Sequence, residues 1–182
     1  MPTYAILLRA VNVGGYGKLS MTDFRKILSD LRFRNVETYI QSGNAVTDSD
    51  LSPEEVALSV GTALLRHTGS PVAVIVRTHD QLEKLIRGNP FMREAADGTR
   101  VHVAFLVAPA APTAAAALES IVKKYPNRRD RYHLAGEHIY FHFPDGAADT
   151  KFTGKALDKA IGAVGTGRNW NTVLKLHAMS KP

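Results

Sequence analysis

Apolar residues in this chain switch between two periods in a fixed order, and the order occurs twice. Thr3 to Leu8 is a short apolar run of strand length. Behind a cap of Ser20 with Asp23, the residues Met21, Phe24, Ile27, Leu28 and Leu31 recur at helical spacing to about Arg32. Val36 to Gln41 and Asn44 to Thr47 return to strand patterning, with Ser42-Gly43 as a two-residue hairpin turn. Ser52-Pro53-Glu54-Glu55 opens a helix carrying Val56, Val60, Ala63 and Leu64, and Gly69 ends it. Val72 to Val76 is a strand. Thr78 and Gln81 then cap a short helix that stops at Gly88 and Pro90.

After a loop from Asn89 to Arg100 the order resumes. Val101 to Val107 is a strand, and Pro109 and Pro112 open an alanine-rich helix over about Thr113 to Lys124. Arg131 to Ala135 and His138 to Phe143 form a hairpin around Gly136-Glu137. Lys155 to Ile161 is a helix, and Trp170, Val173, Leu174 and His177 mark a last helical stripe. The second round shows no clear final strand. Strand–helix–strand–strand–helix–strand is the ferredoxin-like plan. The expected architecture is therefore α+β: two ferredoxin-like (βαββαβ) halves, the second imperfect, plus a C-terminal helix. The expected boundaries are 1–88, a connecting loop at 89–100, and 101–182. The duplication is read from element order, since no residue-level repeat is visible.

Composition narrows the chemistry. With 182 residues and no cysteine, the chain can bury a core without staples, and disulfides, thiolate metal sites and cysteine nucleophiles are excluded. Met1-Pro2-Thr3-Tyr4 does not start a signal peptide, and no apolar run approaches bilayer length, so a cytoplasmic protein without membrane association is expected. A net charge of +6 permits an anionic partner, although the two signs of charge are interspersed.

The fold plan itself generates a site. In it the first and third strands are antiparallel neighbours, so the end of strand one lies beside the start of strand three. Arg9 and Asn12 then meet Gln41, Ser42 and Asn44, with Tyr39, Gln41 and Asn44 on one face near the turn. A guanidinium, amides and a hydroxyl in one place recognise a carboxylate, a phosphate or a base edge. The same groups can instead hold loop and hairpin together through backbone hydrogen bonds. Gly14-Gly15-Tyr16-Gly17-Lys18 fits neither nucleotide-loop pattern in spacing, but a backbone anion cradle with Lys18 at its edge needs no motif.

Two other features invite a site. Lys123, Lys124, Arg128, Arg129 and Arg131 surround Tyr125 and form the nucleic-acid-binding alternative, whose signature is steep salt dependence. On the second hairpin, Tyr132, Leu134, Ile139, Phe141 and Phe143 form a core face, while Arg131, His133, His138, Tyr140 and His142 face the other way. His138 and His142 are about 13 Å apart along one strand, too far to share an ion, and no third ligand is placed, so no metal site is assigned. No serine–histidine–acid or paired-carboxylate arrangement stands out. Asp145, Asp149 and Lys151 beside Gly146 are compatible with an enzyme site but do not specify a reaction, and no cofactor is implied.

Four stretches are recognisable together: Leu8-Arg9-Ala10-Val11-Asn12-Val13-Gly14-Gly15 with Met21, Thr38-Tyr39-Ile40-Gln41-Ser42-Gly43-Asn44, Asn89-Pro90-Phe91, and Thr166-Gly167-Arg168-Asn169-Trp170-Asn171-Thr172-Val173. They resemble a bacterial family of uncharacterised proteins, the domain of unknown function 1697, over nearly the whole chain. The resemblance implies two related ferredoxin-like halves and carries no established reaction. Ala10 stands where the family usually has glycine, and Ala45-Val46-Thr47 lacks the usual aromatic. The last stretch adds Arg168 and Asn169 to the candidate binding set. Asn169 or Thr166 is placed to cap the last helix, and Arg168 at a helix N-terminus opposes the dipole, which points it toward an anion.

Overall fold

The computed structural model describes residues 1–12 and 18–181. Packing divides the chain into two compact units, Met1–Arg87 with Leu174–Pro182, and Gly88–Val173. The first unit runs β1 (Thr3–Leu8), α1 (Met21–Asp30), β2 (Arg34–Tyr39), β3 (Asn44–Asp48), α2 (Pro53–Thr68), β4 (Val74–Thr78) and α3 (His79–Arg87). A 3-10 turn at Glu94–Ala96 then leads to β5 (Val101–Leu106), α4 (Ala114–Lys124), β6 (Arg131–Ala135), β7 (His138–His142), α5 (Gly154–Ile161), β8 (Gly165–Asn169) and α6 (Trp170–Met179). Residues 101–182 are read from sequence as one half, whereas packing groups α6 from Leu174 onward with the first unit.

Each unit holds one antiparallel sheet, ordered β2-β3-β1-β4 and β6-β7-β5-β8. This is the ferredoxin-like order, with the first strand of each half at its centre. Local chemistry sets the helices. Ser20 accepts from the Asp23 N–H, and Ser52 with Glu55 forms a reciprocal capping box ahead of Pro53. Thr78 and Gln81 exchange the same pair of bonds at the start of α3. In the first unit Tyr4, Ile6 and Leu8 of β1 pack on Phe24 and Leu28 of α1 and Val56, Val60 and Leu64 of α2. In the second, Ala104, Ile139 and Phe141 pack on Leu118 of α4 and Leu157 and Ile161 of α5, with Tyr132 and Leu134 at the margin.

Two elements differ from expectation. The second half has its fourth strand: β8 pairs with β5 from His102↔Asn169 to Leu106↔Gly165. The segment Gly165-Thr166-Gly167-Arg168-Asn169 has neither alternation nor β-branched enrichment, so the pairing partner makes it a strand rather than its own propensity. The first hairpin turn has four residues, Ile40 to Gly43, not two. Ile40 takes φ 50° and Gly43 φ 77°, and an added Cβ at Gly43 would lie 2.5 Å from Val11 Cγ2. The turn is therefore pressed against the residues that follow β1.

Candidate functional site

The corner at the end of β1 is built from backbone first. Leu8 N–H donates to the Gly43 carbonyl at 2.8 Å, and Arg9 N–H donates to the Ala73 carbonyl at 3.0 Å, so β1 is held on both sides as it ends. The chain then bends through Ala10 at φ 54° and Asn12 at φ 59°, with Val11 buried in the core between them. Left-handed backbone is costly for residues with a Cβ, such as Ala10.

Two of the amides expected to read a ligand, those of Asn12 and Asn44, are bonded within the protein. Asn12 Nδ2 donates to the Leu19 carbonyl at 2.8 Å and to the Gln41 carbonyl at 2.9 Å, while its Oδ1 accepts from Leu19 N–H at 2.9 Å. One side chain thereby ties the two flanks of segment 13–18 together and fastens both to the hairpin turn. Asn44 is fully buried, and its Nδ2 donates to the Tyr39 carbonyl at 3.0 Å and to Ser42 Oγ at 2.9 Å. The structure thus joins Asn12 to Gln41 and Asn44 to Ser42 and Tyr39, while Arg9 is held through its N–H on the other side of β1, by Ala73. Lys18 and Gln41 are exposed and Arg9 is half-buried. Gly14 and Gly15 lie outside the described residues.

Arg168 and Asn169 belong to the second unit. Arg168 is not at a helix N-terminus. It is the fourth residue of β8, buried, with Nη1 donating to Thr166 Oγ1 and to the Gly167 carbonyl, both at 2.8 Å. Burial pulls its pKa down to about 10. Asn169 caps α6, its Oδ1 accepting from Thr172 N–H at 2.9 Å, and Trp170 is buried beside it.

The basic run at 123–131 is largely matched by acids. Arg128 pairs with Asp130, Arg129 with Asp145 and Arg131 with Glu94, and Lys123 lies 3.9 Å from Glu119. Arg131 also donates to His142 Nδ1 and sits over the Phe91 ring. Arginines already committed to carboxylates are poor phosphate clamps, which weakens the nucleic-acid alternative. On the second face of the hairpin Tyr140 is buried with His138 Nε2 3.0 Å from its hydroxyl, and burial raises its pKa to about 12, while His133 is exposed. Among the described residues no three His, Cys, Asp or Glu side chains gather closely enough to hold a metal ion.

One cluster has no sequence signal. The rings of His79 and His177 stack at 4.3 Å, and His79 Nδ1 lies 3.2 Å from Ser180 Oγ, a residue 101 positions away. Ser180 is fully buried and gives its proton to the His177 carbonyl, so it pins α6 to the start of α3 and is no nucleophile.

Two sheets in the order β2-β3-β1-β4 and β6-β7-β5-β8, each backed by two helices, define an α+β protein of two ferredoxin-like halves. The chain belongs to the family described as protein of unknown function (DUF1697), whose model matches residues 1–140. Its fold is similar to that of the conserved bacterial protein SP0830 from Streptococcus pneumoniae, with a TM-score of 0.71 and 21% identity over 99% of each chain. At that identity the likeness establishes fold alone. Comparison with curated proteins finds no relative. No described helix is long and apolar enough to cross a membrane.

Proposed function

We propose that the protein binds an anionic small molecule, a nucleotide or phosphorylated metabolite, at the corner made by Arg9, Asn12, Lys18 and the Ile40–Gly43 turn. The supporting observation is a control inside the chain. In the second unit Leu106 N–H donates to the Glu137 carbonyl and Val107 N–H to the Val164 carbonyl, each at 2.9 Å, repeating the bonds of Leu8 and Arg9. There the arginine's place is taken by Val107, and the register position of Asn44 is held by His138. A ferredoxin-like corner therefore forms without an arginine at this position, while Asn44 holds the longer turn of the first unit through Tyr39 and Ser42.

Backbone strain supports the same reading. Ala10, Asn12 and Ile40 are non-glycine residues in left-handed conformation gathered at one corner, and strain of this kind concentrates at ligand sites. Positive φ at Ala10 and Asn12 but not at Val11 is the alternation in which successive N–H groups converge on an anion. In this reading Arg9 and Lys18 supply charge, and Asn12 and Asn44 act as positioning residues that hold the two sides of the site.

A thermal-shift panel of nucleotides, sugar phosphates, carboxylic acids and short oligonucleotides tests it, because a ligand that binds only the native state raises the melting temperature. The expected hit is an anionic small molecule whose effect disappears in Arg9→Ala and in Lys18→Ala. No hit across the panel, or a hit that survives both substitutions, overturns the proposal. Steep salt dependence across unrelated oligonucleotides would favour the nucleic-acid reading instead.

A further inference from the structure

A groove of about 720 Å³ lies between α4 and α5 of the second unit. That volume falls within the roughly 300–1,000 Å³ typical of small-molecule sites. Its apolar lining comes from Ala117 and Ile121 on α4 and Ala156 and Ala160 on α5. Its charge comes from Lys124, Lys151 and Lys159.

These lysines differ from the basic residues around them. Lys123, Arg128, Arg129 and Arg131 each have a carboxylate partner. Among the described residues Lys124, Lys151 and Lys159 have none. Two of the three ammonium groups are drawn to one aromatic ring: Lys124 Nζ lies 5.7 Å and Lys151 Nζ 5.5 Å from the centre of Tyr125, which also lines the groove. Like charges gathered in one concave, partly apolar place repel each other, and a bound anion relieves that repulsion. The open start of α5 adds to the same field. Thr153 stands at its N-cap and lines the groove, but its side chain caps no backbone N–H, and the first turn carries no acid.

We propose that this groove binds a small molecule bearing a phosphate on a flat, apolar body. The lysines take the charge, and the alanine and isoleucine surface takes the body. The site is independent of the one at Arg9: it uses other residues, in the other unit, and either can fail alone.

The test is an NMR titration of backbone amides in the full chain with three probes: inorganic pyrophosphate as the charge alone, adenosine as the body alone, and ADP as both. ADP is expected to shift amides in 117–125 and 153–160 at lower concentration than pyrophosphate, with adenosine weakest. Lys151→Gln combined with Lys159→Gln should weaken ADP binding about tenfold or more, as loss of charged hydrogen bonds does. The double variant keeps a native spectrum because both side chains are exposed. Arg9→Ala should leave the groove response unchanged. Several outcomes overturn the proposal: no groove shifts with any probe, equal ADP binding by the double variant, or adenosine binding as well as ADP.

Discussion

Each unit ends its central strand with the same two backbone hydrogen bonds, but the first surrounds them with strained, polar structure and the second with a plain two-residue turn. Among the described residues all five non-glycine positions of positive φ, namely Ala10, Asn12, Arg32, Asn35 and Ile40, lie in the first unit. The second unit confines positive φ to glycines, including Gly136 in its hairpin turn. The likeness elsewhere is close. Arg77 on β4 pairs with Ala5 as Arg168 on β8 pairs with Val103, and each sends Nη1 to the carbonyl of the residue before it. Thr78 and Asn169 then cap the helix that follows. Positions that agree between the halves serve the shared fold. Positions that differ, Arg9 against Val107 and Asn44 against His138, are where the proposed site of the first half lies.

The comparison can be broken most forcefully at the two turn glycines. Gly43 and Gly136 both have positive φ, but a Cβ at Gly43 meets Val11 and Leu8 at 2.5 and 2.8 Å, while one at Gly136 meets nothing within 4 Å. Gly43→Ala should cost about 2–4 kcal/mol, from backbone strain plus overpacking, and Gly136→Ala about 1 kcal/mol from strain alone. Equal losses in urea unfolding would mean that the first corner is no tighter than the second. Next in size is Asn44→Ala, which removes a fully buried side chain and its bonds to the Tyr39 carbonyl and Ser42 hydroxyl and should cost about 1–3 kcal/mol by the same measurement. Arg9→Val writes the second unit's residue into the first. It should change stability by less than about 1 kcal/mol while removing the ligand-induced rise in melting temperature. A variant that still responds to ligand would remove Arg9 from the site.

The smallest effect separates the units by pH. Burial holds the pKa values of His177 in the first unit and His102 in the second below the usual 6.5, and the neighbouring His79 adds to the effect on His177. The neutral rings are favoured in the fold, so as pH falls below 6.5 the unfolded chain takes up protons first and stability declines. The melting temperature should therefore drop from pH 7 to pH 5. His177→Gln and His102→Gln should each flatten part of that drop, and the slope should be steeper in the parent chain than in either variant.

Most of the fold was legible because its signals are local. Periodicity, the caps at Ser20, Ser52 and Thr78, and the stops at Gly69 and Gly88 fix element order from short stretches of chain. β8 was not legible, because two glycines and an arginine become a strand only when β5 offers them a ladder. The meeting of Asn12 with Gln41 and Asn44 followed from strand order, but the use of those amides did not: residue type says that an amide can bond, and only geometry says that Leu19 and Tyr39 take it first. Of the groove lysines, sequence singles out Lys124 as part of the basic run and Lys151 as part of the Asp145 loop, and passes over Lys159. Only geometry brings the three together, whereas Lys123, Arg128, Arg129 and Arg131 are matched by Glu119, Asp130, Asp145 and Glu94.

The discontinuity of the first unit sets an order for synthesis. Its two parts, 1–87 and 174–182, are separated by the whole of the second, so a ribosome that delivers the chain from its N-terminus finishes the second unit before it completes the first. Until then His79 has neither the ring of His177 nor the hydroxyl of Ser180 beside it. The nascent first unit must wait with the start of α3 uncovered, and the last helix acts as a latch that closes only when the rest of the chain has emerged.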